Sequence, residues 1–123
     1  ICEDCPCEDS DEKRYADFLA NAEPLYLPKF KVRKIVTARL ERYRKQTMKW
    51  LKKHGVQYGE LCMMPAETRE EREDIGFGTW KALKYMEDRG ARLFIESDAM
   101  QAAEINRLSK RPVLDVFNMR LLR

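Results

Sequence analysis

The sequence is 123 residues long, 44% hydrophobic, 10% aromatic and 37% charged. That places it among globular chains of one domain's length, which bury about two-thirds of their unfolded surface without needing covalent staples. No apolar run approaches the roughly 18 residues of a membrane span, so no membrane partner is expected; the acidic N-terminus is unlike a secretory signal, and the expectation is cytoplasmic.

The formal net charge is only +3, but it is unevenly placed. Glu3 to Glu12 holds six acids and no base, whereas Lys29 to Lys53 holds eleven Lys or Arg against the single acid Glu41. Such a basic stretch suits phosphate, on a nucleic acid or on a small molecule; the plain alternative is a solvated helix face. No aromatic platform motif accompanies the basic residues, so nucleic acid is a possible but not the favoured partner. Of the four cysteines, Cys2, Cys5 and Cys7 lie close together and Cys62 stands apart. A zinc site on the first three, closed by Cys62 or His54, would need the paired spacing of zinc knuckles, which C-x-x-C-x-C is not. Free thiols are the expected state.

In chain order, Asp11 to Asn21 reads as a short helix, and Pro24 and Pro28 bracket an extended Leu25-Tyr26-Leu27. Lys34 to Thr37 is a β-branched run suited to a strand. A long amphipathic helix follows, about Glu41 to His54, with Tyr43, Thr47, Trp50 and Leu51 on one face and Gly55 as its stop. Glu60 to Met64 reads as a second strand ended by Pro65, and residues 66 to 75 as a charged helix. Gly76 and Gly78 form a break, after which Thr79 caps a helix from Trp80 to Arg89. Arg92 to Glu96 is a third strand. Asp98 and Gln101 make a capping box for a helix to about Ser109, and Val113 to Val116 is a fourth strand. Strands alternating with helices predict an α/β sandwich with parallel pairing.

In such folds ligands sit beyond the carboxyl ends of the strands. The candidate residues there are Thr37, Ala38 and Arg39 after the first strand, and Glu96, Ser97 and Asp98 after the third. Lys81 lies near the start of the helix feeding that third strand. A hydroxyl, a cation and two carboxylates are the parts of a phosphate-and-magnesium site. Each residue also has an ordinary reading. Thr37 would be a strand end, Lys81 a solvent lysine and Asp98 an N-cap. His54 would be a helix-terminal residue, and Trp50 and Trp80 would be core.

The residues resemble the haloacid-dehalogenase-like (HAD) phosphatases. Ile35-Val36-Thr37 is similar to that family's second signature, Lys81 (with Lys84 behind it) to the third, and Glu96 with Asp98 to the fourth. The stretches Ile35–Val56, Lys81–Tyr85, Leu93–Ile105 and Arg111–Val116 look like the HAD-like domain that follows a phosphoribosyltransferase domain in some bacterial and phage proteins. The resemblance covers nearly the whole chain. It implies a single HAD-like domain over 1–123, a three-layer sandwich around a parallel sheet. Residues 1–33 would form a post-nucleophile loop and small lid, and 34–123 the core.

By the resemblance, Thr37 and Lys81 are catalytic, Thr37, Ala38, Arg39 and Lys81 hold the substrate phosphate, and Glu96 and Asp98 serve magnesium. A phosphoribosyltransferase domain would be a partner in the same natural protein. The family's first signature, a strand ending in D-x-D, has no counterpart. Asp9-Ser10-Asp11 carries the letters but no hydrophobic strand precedes it. That strand is central in the family's sheet, and without it buried backbone groups would go unpaired at about 1–3 kcal/mol each. The start at Ile1 is where look-alikes run on from D-x-D-G-V, so the expectation is that further residues precede it. Magnesium is expected only with that missing strand. The alternative is a HAD-like module that binds or assembles without catalysis.

Overall fold

The computed structural model describes residues 22–24, 27–65 and 69–123. The helix expected over Asp11 to Asn21, the cysteines Cys2, Cys5 and Cys7, Asp9-Ser10-Asp11, and Leu25 and Tyr26 of the extended arm lie outside the described residues. The protein is mixed α/β, with one parallel strand pair and one mixed three-stranded sheet. The described residues fall into two compact units, one ending at Glu71 and one running Arg72–Arg123.

In the first unit, β1 (Val32–Leu40) and β2 (Tyr58–Met64) pair in parallel, from Val32 opposite Tyr58 to Thr37 opposite Met63. Parallel neighbours need a crossover, supplied by a 3-10 turn (Glu41–Tyr43) and α1 (Arg44–Lys53). The single helix expected from Glu41 is therefore split, with its first three residues wound more tightly. All four residues of the expected apolar face are buried: Tyr43, Thr47, Trp50 and Leu51. Trp50 and Leu51 pack with Ala22, Leu61 and Met63, flanked by Ile35, Val56 and Tyr58. Each large side chain so buried contributes about 1.5–3 kcal/mol.

Two backbone bonds end α1, Gly55 N–H to Lys52 O (3.1 Å) and Val56 N–H to Leu51 O (2.9 Å). They form a Schellman turn, which needs the positive φ of 68° that Gly55 adopts.

The second unit corrects the sequence at three places. The helix α3 (Phe77–Glu87), which follows α2 (Arg69–Ile75), starts three residues earlier than expected, with Gly76 rather than Thr79 as its N-cap. Gly78 lies within the helix. A Cβ there would collide with the Glu104 side chain, so the glycine permits close approach of α3 to α4 (Ala99–Ser109). Thr79 is released from capping, and its hydroxyl donates to Glu104 Oε1 at 3.1 Å.

The third strand is shorter than expected: β3 is Phe94–Glu96, joined through α4 to the parallel β4 (Val113–Asp115). The third correction is β5 (Arg120–Leu122), antiparallel to β4, so pairing is not parallel throughout. Ala82 and Tyr85 of α3 pack with Ala102 and Ile105 of α4 and Val113 of β4, which forms this unit's core.

Candidate functional site

Within the second unit, α3 and the carboxyl end of β3 build one polar cluster. Lys81 lies on the same helix as the core residues Ala82 and Tyr85, and its chain is drawn inward with them. Its ammonium donates to Glu96 Oε1 at 2.7 Å and to Gln101 Oε1 at 2.8 Å. Only 9% of Lys81 and 6% of Glu96 is exposed, so this is a buried ion pair and not a solvated one. The other oxygen of Glu96 accepts the backbone N–H of Ser97 (2.9 Å) and of Asp98 (3.0 Å). An ammonium carries three donors, and the third N–H of Lys81 has no partner among the described residues.

Asp98 is the N-cap of α4, with Oδ1 accepting the Gln101 N–H at 2.8 Å. The expected capping box is therefore half formed. The Gln101 side chain turns to Lys81, and the Asp98 N–H is taken by Glu96. Sequence reasoning assigned Gln101 to capping alone; its place one turn into α4, beside a buried lysine, carried no separate signal.

A second buried carboxylate stands beside Glu96 in the sheet. Asp115 is the β4 residue paired with Glu96 and is 1% exposed. Its two oxygens accept the Asn118 backbone N–H (3.1 Å) and side-chain Nδ2 (2.9 Å). The Asn118 side chain holds the Asp115 carboxyl below the usual carboxylate range against the opposing effect of burial, helped by backbone N–H groups and Arg120. A sequence signal existed. In Val113-Leu114-Asp115 the strand alternation places Asp115 on the buried face with Val113.

Thr37, Ala38 and Arg39 belong to the first unit. Thr37 is the last regular pair of β1 before the register shifts, and pairing resumes at Leu40 opposite Met64. Its hydroxyl accepts the Arg39 N–H at 3.2 Å, which turns the backbone where the ladder is interrupted. The strand continues past Thr37, contrary to the expected end there, with Ala38 and Arg39 in the irregular stretch. The Arg39 guanidinium lies 5.8 Å from the centre of the Trp50 ring. Lys84, the alternative to Lys81, pairs with Glu87 at 3.4 Å near the surface. His54 is the C-cap of α1, its ring 4.5 Å from that of Trp50. Trp50 and Trp80 are buried at 4% and 6% exposure, as core residues are.

The donor set for magnesium is incomplete. Both oxygens of Glu96 are engaged, and Asp98 keeps one oxygen without a partner among the described residues. Those residues hold no group of three or more His, Cys, Asp or Glu able to bind a metal. Magnesium is usually held by one or two carboxylates together with phosphate and water, so Asp98 alone does not fit a resident ion. Among the described residues, no helix is long and apolar enough to cross a membrane. Comparison with protein-family models, curated proteins and solved structures gives no match.

Proposed function

We propose that the chain is a HAD-like phosphohydrolase domain acting on a small phosphorylated metabolite or nucleotide. The observation that carries the reading is Lys81. It is a buried ammonium whose orientation is fixed by Glu96 and Gln101, with one donor left over, on the helix that leads into β3. A fixed cation in a site of low dielectric stabilises a phosphate, and stabilises it more as charge builds on the equatorial oxygens during transfer. Thr37 and Arg39 enter the proposal from the resemblance alone, as hydroxyl and guanidinium contacts to phosphate. Hydrolysis needs in addition an aspartate nucleophile on a D-x-D strand; in the sequence no D-x-D follows a hydrophobic run, and magnesium belongs with that strand.

Because no D-x-D follows a hydrophobic run in the sequence, a HAD-like module that binds phosphate without hydrolysing it is the second reading. A titration with orthophosphate, and then with phosphomonoesters, tests the proposal when followed at the backbone amides of Glu96, Ser97 and Asp98. The expected result is a saturable shift of those amides that Lys81→Met weakens at least tenfold. No shift there, or the same affinity in the variant, overturns the proposal. Phosphate release from the bound esters marks a hydrolase, and binding without release marks the second reading.

A further inference from the structure

At the other end of the same strands lies a pocket that the Lys81 cluster does not use. It has a volume of about 310 Å³ and is lined by Tyr85, Arg89, Ala91, Arg92, Arg111 and Pro112. Ala91 and Arg92 lead into β3, and Arg111 and Pro112 lead into the parallel β4. The pocket therefore sits at the amino ends of the two strands, about 10 Å of strand away from Glu96 and Asp115.

Three arginines line it, and their states differ. Arg111 is fixed. Its Nη1 donates to the carbonyls of Tyr85 (2.6 Å) and Asp88 (2.9 Å) at the C-terminus of α3, and its guanidinium lies 5.2 Å from the centre of the Tyr85 ring. That ring is held in turn by the Tyr85 hydroxyl, which donates to Pro112 O at 2.8 Å. Arg111 thus adds a second donor to carbonyls that already accept the backbone N–H groups of Asp88 (3.3 Å) and Ala91 (3.2 Å), and this bracing of the helix end alone would account for it. Yet its Nε and Nη2 have no partner among the described residues.

Arg89 and Arg92 are exposed and form no hydrogen bond or ion pair among the described residues. The acid nearest in sequence, Asp88, is 9% exposed, and its Oδ1 accepts the Gly90 N–H at 3.1 Å. No carboxylate lines the pocket. The lining therefore carries three formal positive charges and no formal negative one, a balance that suits an anion.

We propose that this pocket is a second anion site, distinct from the Lys81 cluster, that takes the phosphate or pyrophosphate end of a small phosphorylated molecule. Arg111 supplies the preorganised fork and Arg89 and Arg92 close on the remaining oxygens. Guanidinium groups from three chain positions offer more donors than the two oxygens of a carboxylate accept, and they suit the oxygens of a tetrahedral phosphate. The volume is at the lower end for ligand pockets, enough for the charged end and part of what it carries. A polynucleotide backbone is held along an extended basic groove, whereas this is one open depression lined by six residues.

Pyrophosphate titrated into the full chain and followed by NMR tests the site. The expected result is a saturable shift of the amides from Arg89 to Arg92 and of the Arg111 Nε–Hε signal. Arg89→Gln/Arg92→Gln should weaken that binding at least tenfold while the rest of the spectrum is kept, since both side chains are exposed. Unchanged affinity in the double variant, or no shift of these signals, overturns the proposal. So does a single-stranded oligonucleotide that binds these residues far more tightly than pyrophosphate does. The Glu96 to Asp98 amides report the other site separately, so failure of either proposal is visible without the other.

Discussion

Lys81 and Glu96, fifteen residues apart in sequence, meet at 2.7 Å between Nζ and Oε1, with side chains only 11% and 7% exposed. A pair this far from solvent couples folding to charge. Removing one partner leaves the other buried and uncompensated, at about 3–5 kcal/mol. Lys81→Met is therefore expected to lower unfolding free energy by about that amount in urea. Lys81→Met/Glu96→Gln, which removes both charges, should recover most of the loss. Equal stability of the single and double variants would contradict the pair's place in the folding energy.

Asp115 gives the stability a dependence on pH. Its carboxyl is held below the usual range in the folded state, chiefly by Asn118, so the unfolded chain binds its proton more readily. The resulting stabilisation is fully present above the ordinary value of about 4 and is lost as pH falls through the lower folded value. The urea midpoint should drop across that acidic window, and Asp115→Asn should flatten the contribution. Glu41, lowered by Arg44, adds a slope of the same sign, so the comparison is between the variant and the parent.

The β1–β2 pair leaves no room at Gly59. An added Cβ would stand 2.6 Å from Arg33 O, a backbone atom that cannot rotate away. Gly59→Ala is expected to destabilise by about 1–3 kcal/mol, the range for forcing extra volume into a packed site. A variant as stable as the parent in thermal unfolding would mean that the strands are less tightly paired than described.

Trp50 ties Ala22 to α1. Its indole Nε1–H donates to Ala22 O at 2.7 Å, and Ala22 is only 2% exposed. Trp50→Phe keeps an aromatic ring but leaves that carbonyl unsatisfied, at about 1–3 kcal/mol. Hydrogen exchange at the Ala22 and Glu23 amides should speed up well before that of β2. Unchanged exchange there would show that other contacts hold the segment.

The parts legible in the sequence are those fixed by local periodicity and caps. Trp50 and Leu51 announce the buried face of α1 by their spacing, Gly55 announces its end, and Asp98 announces the start of α4. What was not legible depends on partners distant in sequence. Gly78 reads as a helix breaker until Glu104 of α4 is seen against it, and Thr79 reads as a cap until its hydroxyl is seen to reach the same residue. The antiparallel β5 hides because its turn, Val116 to Met119, contains neither glycine nor proline; Met119 takes the positive φ of 51°. At the candidate site, Lys81 and Glu96 could be singled out from their places on helix and strand. Gln101, Asn118 and Arg111 gain their roles only through contacts that no spacing encodes.

Whether Lys81 holds phosphate is decided by a crystal structure of the protein soaked with tungstate, a tetrahedral stand-in for phosphate with strong anomalous scattering. An anomalous peak is expected within hydrogen-bond distance of Lys81 Nζ, with the contacts to Glu96 and Gln101 retained. A Lys81 whose third N–H is taken by another protein group, with no anion beside it, would contradict the claim and leave Lys81 as a structural ion pair.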